Sequence, residues 1–460
     1  MAVMAGPWPL DRLAVAAGET EDRLRWYAEA GLLHRQANGE FDPDSLHRLR
    51  LIQFVRSRGV SDEKLAAENQ RQGDLLGLFD RSEPAGDSAA NLVVAARQLD
   101  LDEAVITELG QILDWDGAGF ATESDLAIVG VTAKALALGM PADALMQLLR
   151  VFADTIDRLA DAEVRMFHHY VHERFRAQGL AGRRLLEATQ QIATPLLDLA
   201  EPAVVSFHRR AYQRASREDL LRHLAEDTNP PAPTPGEEQA TVLFVDLASF
   251  TPLTATMGDD TAVDILRRFG VTVRGNATRY QGRIVKQIGD AFMLMFAQPA
   301  QAVEFGCAME RFVDTETQFP ALHIGAHHGT VLYHEGDYVG ATVNLAARVA
   351  SAGAAGQFLI TEDLRHAAGP VADADYISLP PQRLKGIPEP LCLLEVRRRG
   401  PDRVDRETDP VCGMLLHPAD VEAHTTWRGT SYAFCSDKCR RAFIDNPAHF
   451  AAAAQDWAHE

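Results

Sequence analysis

The chain has 460 residues, 46% hydrophobic, 24% charged and 7% aromatic, which at roughly 150 residues per domain gives a prior of about three domains and excludes a disordered chain. Its 45 Lys and Arg against 65 Asp and Glu leave a formal net charge of −20, so the molecule as a whole is a poor electrostatic partner for nucleic acid or an anionic membrane. Five cysteines are too few for a disulfide framework, and Cys412, Cys435 and Cys439 cluster near the carboxyl end, a pattern that points to metal rather than oxidation.

The amino terminus lacks the basic region and long apolar core of a secretory signal. No apolar run reaches the roughly 18 residues of a membrane span. A cytoplasmic location with no membrane contact is therefore expected. The first predicted elements are short helices over 8–78. Their pattern, "LAVAAGETEDRLRWYAEAGLL" from Leu13 to Leu33 followed by "FDPDSLHRLRLIQFVRSRGVS", resembles the winged helix-turn-helix of MerR-type regulators. The resemblance implies that Arg25 and Tyr27 contact a DNA backbone. Against that, Met1 to Leu75 holds ten Lys and Arg and twelve Asp and Glu, which is no basic face for phosphate.

A helical regulatory or dimerisation region is expected over 88–226, divided from the first near Arg81 to Asp87. Leu46, Gly59 and Leu65 recur as Leu126, Gly139 and Leu145, each pair 80 residues apart. Each copy reads as a helix ended by glycine and followed by a second helix. From Leu145 an apolar series of Leu149, Phe152, Ile156, Leu159, Met166 and Tyr170 keeps heptad spacing, interrupted only by Glu163, and suits either an intradomain face or a dimer helix. His168, His169 and His172 follow it, with His168 and His172 on one face, suited to metal or to titration near neutrality. The stretch from Leu99 to about Arg222 loosely resembles the regulatory halves of soluble actinobacterial-type cyclases, some of which respond to acid.

A proline-rich linker is read at 227–239. From 240 to 396 the texture is α/β. "TVLFVDLASFT" is a buried strand ending in Asp246, and "GRIVKQIGDAFMLMF" reads as a hairpin presenting Asp290 at its tip. Two carboxylates on adjacent strand ends make a hard-oxygen site for Mg2+ or Mn2+. In "GDYVGATVNLAARVASAG", Asn344 and Arg348 are four apart on a helix and share a face.

These residues together resemble the catalytic domain of class III nucleotidyl cyclases. The resemblance implies a ferredoxin-like α/β-sandwich within a multi-domain α+β chain and two Mg2+ or Mn2+ ions on Asp246 and Asp290. It also implies a purine-reading pair, Lys286 and Asp337, the transition-state residues Asn344 and Arg348, and Lys385 on the terminal phosphates. The backbone amides from Leu247 to Thr251 are placed to cradle phosphates. Lys286 only donates and an ionised Asp337 only accepts, which complements adenine and opposes guanine, so ATP is the expected substrate. In this family the metal aspartates come from one protomer and the base-reading and transition-state residues from the other, which implies a homodimer with two sites. The alternative is a MerR-like transcriptional regulator using the cyclase domain as a nucleotide sensor.

A second linker is expected at 397–408, then a small domain at 409–454. "DPVCGMLLHPADVEAHTTWRGTSYAFCSDKCRRAFIDNPAHF" resembles a YHS domain. Cys412, Cys435 and Cys439 are expected to hold Zn2+, Cu+ or another soft metal, with His424 and Met414 as candidates for a fourth ligand. Cys307 and Cys392 lie in no motif.

Overall fold

The computed structural model describes residues 7–42, 44–78, 92–115, 123–226, 236–248, 250–316, 318–399 and 406–451. The expected division at Arg81 to Asp87 and most of the 227–239 linker lie outside these residues. The chain forms two compact units, Met1–Pro230 and Pro231–Glu460. Among the described residues no helix is long and apolar enough to cross a membrane.

The first unit is helical and has two cores. Helices α1 (Leu10–Ala17), α2 (Glu21–Glu29), α3 (Ser45–Ser57) and α4 (Asp62–Gln72) enclose Leu13, Leu24, Tyr27, Phe41, Leu49 and Ile52. Helices α5 (Leu92–Gln98), α6 (Glu103–Ile112), α7 (Glu123–Ala137) and α8 (Ala142–Phe167) close over Leu92, Leu109, Val129 and Leu145. The repeated anchors occupy equivalent places. Gly59 follows α3 and Gly139 follows α7 in left-handed backbone, at φ 84° and 93°, where an L side chain is strained. Their amides bond back to Arg56 and Leu136 at 2.9 Å, which satisfies carbonyls that each helix end leaves open. After α8 come a π-helical turn, His168–His172, the short α9 (Glu173–Ala177) and the 45-residue α10 (Gly182–Glu226).

The heptad row on α8 is buried only at its start. Leu145 is in the core, whereas Phe152, Ile156, Leu159, Met166 and Tyr170 are all exposed, Tyr170 at 69%. An amphipathic helix of this length with an uncovered apolar stripe has more apolar surface than its own domain uses.

The second unit is built on a mixed sheet. In chain order it contains β1 (Glu237–Leu247), α11 (Phe250–Met257), α12 (Asp259–Arg279), β2 (Arg283–Ile288), β3 (Ala291–Phe296), α13 (Pro299–Thr315), β4 (Phe319–Pro320), β5 (Leu322–His334), β6 (Asp337–Val339), α14 (Ala341–Ala352), β7 (Phe358–Thr361), α15 (Glu362–Ala368), β8 (Ala374–Ser378) and β9 (Leu393–Arg398). The strand order is β2-β3-β1-β5-β7-β9-β8, with β6 paired to β5. Only β5 and β7 run parallel among these pairs.

Strand β1 is buried on both faces, as its apolar run predicts. Leu243, Val245 and Leu247 pack in the main core with Ile265 and Phe269 of α12 and Val303 and Phe305 of α13. Ala240 and Val242 turn to the opposite face, under Ala346 of α14. Gly325 of β5 lets α14 lie directly on the sheet, since a Cβ there would collide with the Ala350 backbone. Strand β1 starts at Glu237, inside the stretch read as linker.

The last elements are β10 (Glu407–Thr408), β11 (Met414–Leu416), β12 (Ala423–Trp427), β13 (Thr430–Phe434) and α16 (Asp437–Asp445). They do not stand apart from the sheet unit. Strand β11 pairs with β4, Met414 opposite Pro320 and Leu415 opposite Phe319, and Val411, Cys412, Leu416, Phe434 and Phe443 belong to the same continuous core as Phe319 and Leu322. The charged run from Arg397 that reads as a free linker is anchored at both ends. Arg398 pairs with Asp314 at 2.9 Å, and Arg406 donates to the carbonyls of Val313, at 2.8 Å, and Asp314. Those carbonyls lie in the last turn of α13, where a helix leaves carbonyls short of amide donors and favours a cation.

Candidate active site

Asp246 is the penultimate residue of β1, and Asp290 sits in the turn joining β2 to β3. The β1–β3 register pairs Val245 with Phe292, which brings the two carboxyl groups close enough to act on each other. Asp246 Oδ1 is buried and has no hydrogen-bond partner among the described residues. Burial first, then the charge and hydrogen bond of Asp290, push the Asp246 carboxyl up to about 7. Two carboxyl groups this close cannot both ionise cheaply without a cation, and an orphaned buried oxygen is where one binds. The donor set fits a divalent cation that takes hard oxygen ligands, such as Mg2+ or Mn2+.

A pH dependence follows. Below about pH 7 the metal-free pair retains a proton that the cation must displace, so apparent Mn2+ affinity is expected to weaken about tenfold per pH unit there and to level off above it. Calorimetric titration of metal alone between about pH 5.5 and 8 measures this. A flat affinity over that range would remove proton competition from the site.

Lys286 and Asp337 meet as an ion pair, each side chain a little over one-third exposed. Two local features bring them together. The β2–β3 ladder shifts register between Ile284 and Lys286, a bulge of the kind that re-aims a side chain. The two-residue turn Glu335-Gly336 has positive φ at both positions, 49° and 80°, the hairpin geometry that fixes register, and it sets Asp337 at the head of β6 opposite His334. Asp337 Oδ1 accepts the Tyr338 amide at 2.8 Å, which orients the carboxylate.

Asn344 and Arg348 are both exposed on α14, while Ala346 and Val349 between and beside them are buried. Among the described residues neither side chain has a hydrogen bond or an ion pair. Lys385 is exposed in the loop before β9, and that loop is pinned to α14 by Leu384, which packs with Val349. Thr251 is exposed in the first turn of α11. Part of the expected amide cradle, Ser249, lies outside the described residues.

In the tail, Asp409, Cys412, Cys435 and Cys439 are all buried, and one ligand atom from each lies within 4.8 Å of the others. Cys412 and Cys435 Sγ are 3.5 Å apart, and Cys435 and Cys439 Sγ 3.6 Å. Tetrahedral coordination with metal–sulfur bonds of about 2.3 Å separates sulfurs by nearly this distance, so the residues fit a soft or borderline metal. The fourth group is Asp409, not His424, which is exposed on β12; Met414 is buried in β11. Asp409 Oδ1 accepts the amides of Val411 and Cys412, at 2.9 and 3.4 Å, and Oδ2 that of Cys435 at 2.8 Å. One lone pair on Oδ2 remains. Burial and then Cys435 raise the Asp409 carboxyl to about 6. Hydrogen bonds from Cys412 and Cys435 hold the Cys439 thiol down at about 5, and the contacts with Cys435 and Cys439 push the Cys412 thiol up.

Other expected sites have their own surroundings. Tyr27 is fully buried, and its hydroxyl donates to Asp62 and accepts from Arg56, both at 3.1 Å. Arg25 is held by Asp22 and Glu21, both at 2.7 Å. The Tyr27 hydroxyl is thus already paired inside the core, and Arg25 lies at the surface among acidic neighbours. His168 and His172 stack at 4.8 Å between ring centroids, with His172 Nδ1 3.4 Å from Thr189 Oγ1 and His168 3.6 Å from Glu173. Cys307 is buried, which pushes its thiol up to about 12, and Cys392 is exposed.

Residues 233–372 match the adenylate and guanylate cyclase catalytic domain family, and residues 408–454 match the YHS domain family. The chain is 25% identical over 364 residues to a pH-sensitive adenylate cyclase of Mycobacterium tuberculosis, a match covering 76% of this chain and 88% of that one. It is 26% identical over 246 residues to an adenylate cyclase of Streptomyces coelicolor, covering 52% and 62% of the two chains. Among solved structures, the adenylyl cyclase CyaB of P. aeruginosa shares 24% identity over 36% of this chain and 97% of its own, with a TM-score of 0.33. The chain therefore carries the catalytic domain of a class III nucleotidyl cyclase, followed by a YHS domain.

Proposed function

We propose that the protein is an adenylate cyclase that converts ATP to 3′,5′-cyclic AMP and pyrophosphate as a homodimer. The observation that carries this reading is the pairing of Lys286 with Asp337 beside a separate carboxylate pair, Asp246 with Asp290. A lone donor and a lone acceptor complement N1 and N6 of adenine, whereas guanine leaves both unpaired. Similarity to relatives named adenylate cyclase supports the same substrate.

Cyclisation requires the ribose 3′ oxygen to attack the α-phosphorus while pyrophosphate departs in line. When bound, two divalent cations supply Lewis acidity at the attacking hydroxyl and offset the growing phosphate charge. Asp246 and Asp290 are the anionic groups for holding them. Asn344 orients the ribose, Arg348 donates to the phosphoryl oxygens as their charge rises, and Lys385 with the amides near Thr251 holds the terminal phosphates. A homodimer is supported by two features. The side chains of Asn344 and Arg348 point outward without protein partners among the described residues, and α8 exposes an apolar row suited to an isologous helix contact.

The domain limits that fit this reading are 8–78 and 88–226 for the regulatory half, 240–396 for the cyclase and 409–454 for the YHS module, the last holding Zn2+ or Cu+ through Cys412, Cys435, Cys439 and Asp409. Purified protein given Mn2+ is expected to form cyclic AMP from ATP with a preference over GTP of roughly a hundredfold in kcat/KM. Lys286→Glu with Asp337→Cys should lower that preference at least tenfold. Unchanged selectivity in the double variant would remove base reading from these two residues.

A further inference from the structure

We infer that metal held by Asp409, Cys412, Cys435 and Cys439 tightens the turn that follows Asp246 at the end of β1, so that the tail sets the cyclase rate through the β11–β4 strand pair. This rests on reading the cluster as a soft-metal site.

The connection is short and made of backbone. The Asp409 to Met414 loop is closed on itself, with the Gly413 amide bonding to the Asp409 carbonyl and the Asp409 amide to the Met414 carbonyl, both at 2.9 Å. Ligand positions at Asp409 and Cys412 therefore dictate where Met414 sits. Met414 begins β11 and faces Pro320 of β4. The next residue, Ala321, accepts the Ala248 amide through its carbonyl at 2.8 Å. Ala248 is two residues after Asp246, in the turn from β1 toward α11, and Asp246 itself pairs with His323.

Strand β4 has only two residues, one of them a proline. Such a strand has few ladder bonds of its own and depends on its neighbours for position. A cavity of about 240 Å3 runs beside it, lined among others by Val313, Leu322, Arg406 and Leu415, so this seam has room to shift that a close-packed interior lacks. Without metal, the Asp409–Met414 loop loses the ion that joins it to Cys435 and Cys439. Metal fixes one arrangement of that loop, and so tightens the β11–β4 register and the Ala321–Ala248 bond. Arg406 clamps the opposite side of the seam through the α13 carbonyls.

The test uses the full-length chain, stripped of metal by a thiol-competing chelator and reloaded with one equivalent of Zn2+. Three quantities are read together: bound zinc per chain by elemental mass spectrometry, hydrogen exchange at the Ala248 amide, and kcat with ATP and Mn2+. Reloading is expected to slow Ala248 exchange and to raise kcat about fivefold, within the usual range of intersite coupling. Arg406→Ala should bind zinc at unchanged stoichiometry and lose most of both responses. Zinc bound at one per chain with no change in Ala248 exchange or kcat overturns the coupling and leaves the metal site standing. No zinc retained by the wild-type chain overturns both. An undiminished rise in Cys439→Ser places the metal effect elsewhere and also overturns the inference.

Discussion

Chains carrying Asp246→Asn and chains carrying Arg348→Ala, each nearly inactive alone, are expected to regain about a quarter of the wild-type rate per chain when mixed in equal amounts. On the proposed mechanism, loss of Arg348 removes a positioned donor from the transition state, typically about 3–4 kcal/mol, or a hundred- to thousandfold in kcat. On the same mechanism, Asp246→Asn removes the charge and one oxygen of a metal-holding carboxylate, with a comparable effect. If each active centre takes Asp246 and Asp290 from one copy and Asn344 and Arg348 from its partner, random exchange makes half the dimers mixed. Every mixed dimer then has one centre with neither lesion and one with both. A steady-state assay after subunit exchange reads the result, with sedimentation confirming that both variants remain dimeric. No recovery in a mixture shown to exchange would place both sets of groups on a single chain and end the shared-site reading.

Gly325→Ala is expected to cost about 1–3 kcal/mol of stability, seen as a melting temperature lower by roughly 5 °C, and to reduce kcat about a hundredfold. The Gly325 α-carbon on β5 lies directly under the Ala350 backbone of α14, so a single methyl must lift the helix or bend the strand. Neither side of that contact is a flexible side chain, and interiors are too dense to absorb the change. Lifting α14 moves Asn344 and Arg348 without touching Asp246 or Asp290. Mn2+ affinity should therefore stay near the wild-type value while kcat falls. Equal loss of metal binding and turnover would mean that the sheet, rather than the helix, had given way.

Much of the catalytic half was legible because its signals are local. Strand β1 alternates between two buried faces, Gly289-Asp290 closes a hairpin, and Asn344 and Arg348 sit one helical turn apart. The helix-ending glycines at 59 and 139 were equally plain, since left-handed backbone selects glycine. What escaped was long-range. The pairing of β11 with β4 rests on two residues per strand, one a proline, and no periodicity can appear in so short a run. Composition read the arginine-rich run from Arg397 as solvated, whereas Arg406 caps the end of α13, a partner set by tertiary placement. Asp409 was overlooked as a metal ligand because an Asp before Pro is expected in turns. It does accept the Val411 amide, but it also faces three thiols. The surroundings of Tyr27 were hidden for a related reason: a polar hydroxyl does not show in sequence that Asp62 and Arg56 already pair with it.

The Lys286–Asp337 ion pair has a consequence for kinetics. The two groups are held by protein contacts alone, Lys286 by Asp337 and Asp337 also by the Tyr338 amide. On the adenine reading, the recognition edge exists before the ligand arrives, so an incorrect purine is penalised on entry and gains nothing further as the reaction proceeds. Interactions complete in the ground state change KM and leave kcat alone. Discrimination against GTP should therefore fall mainly on KM, and a saturating concentration of the wrong nucleotide should be turned over at nearly the rate of the right one.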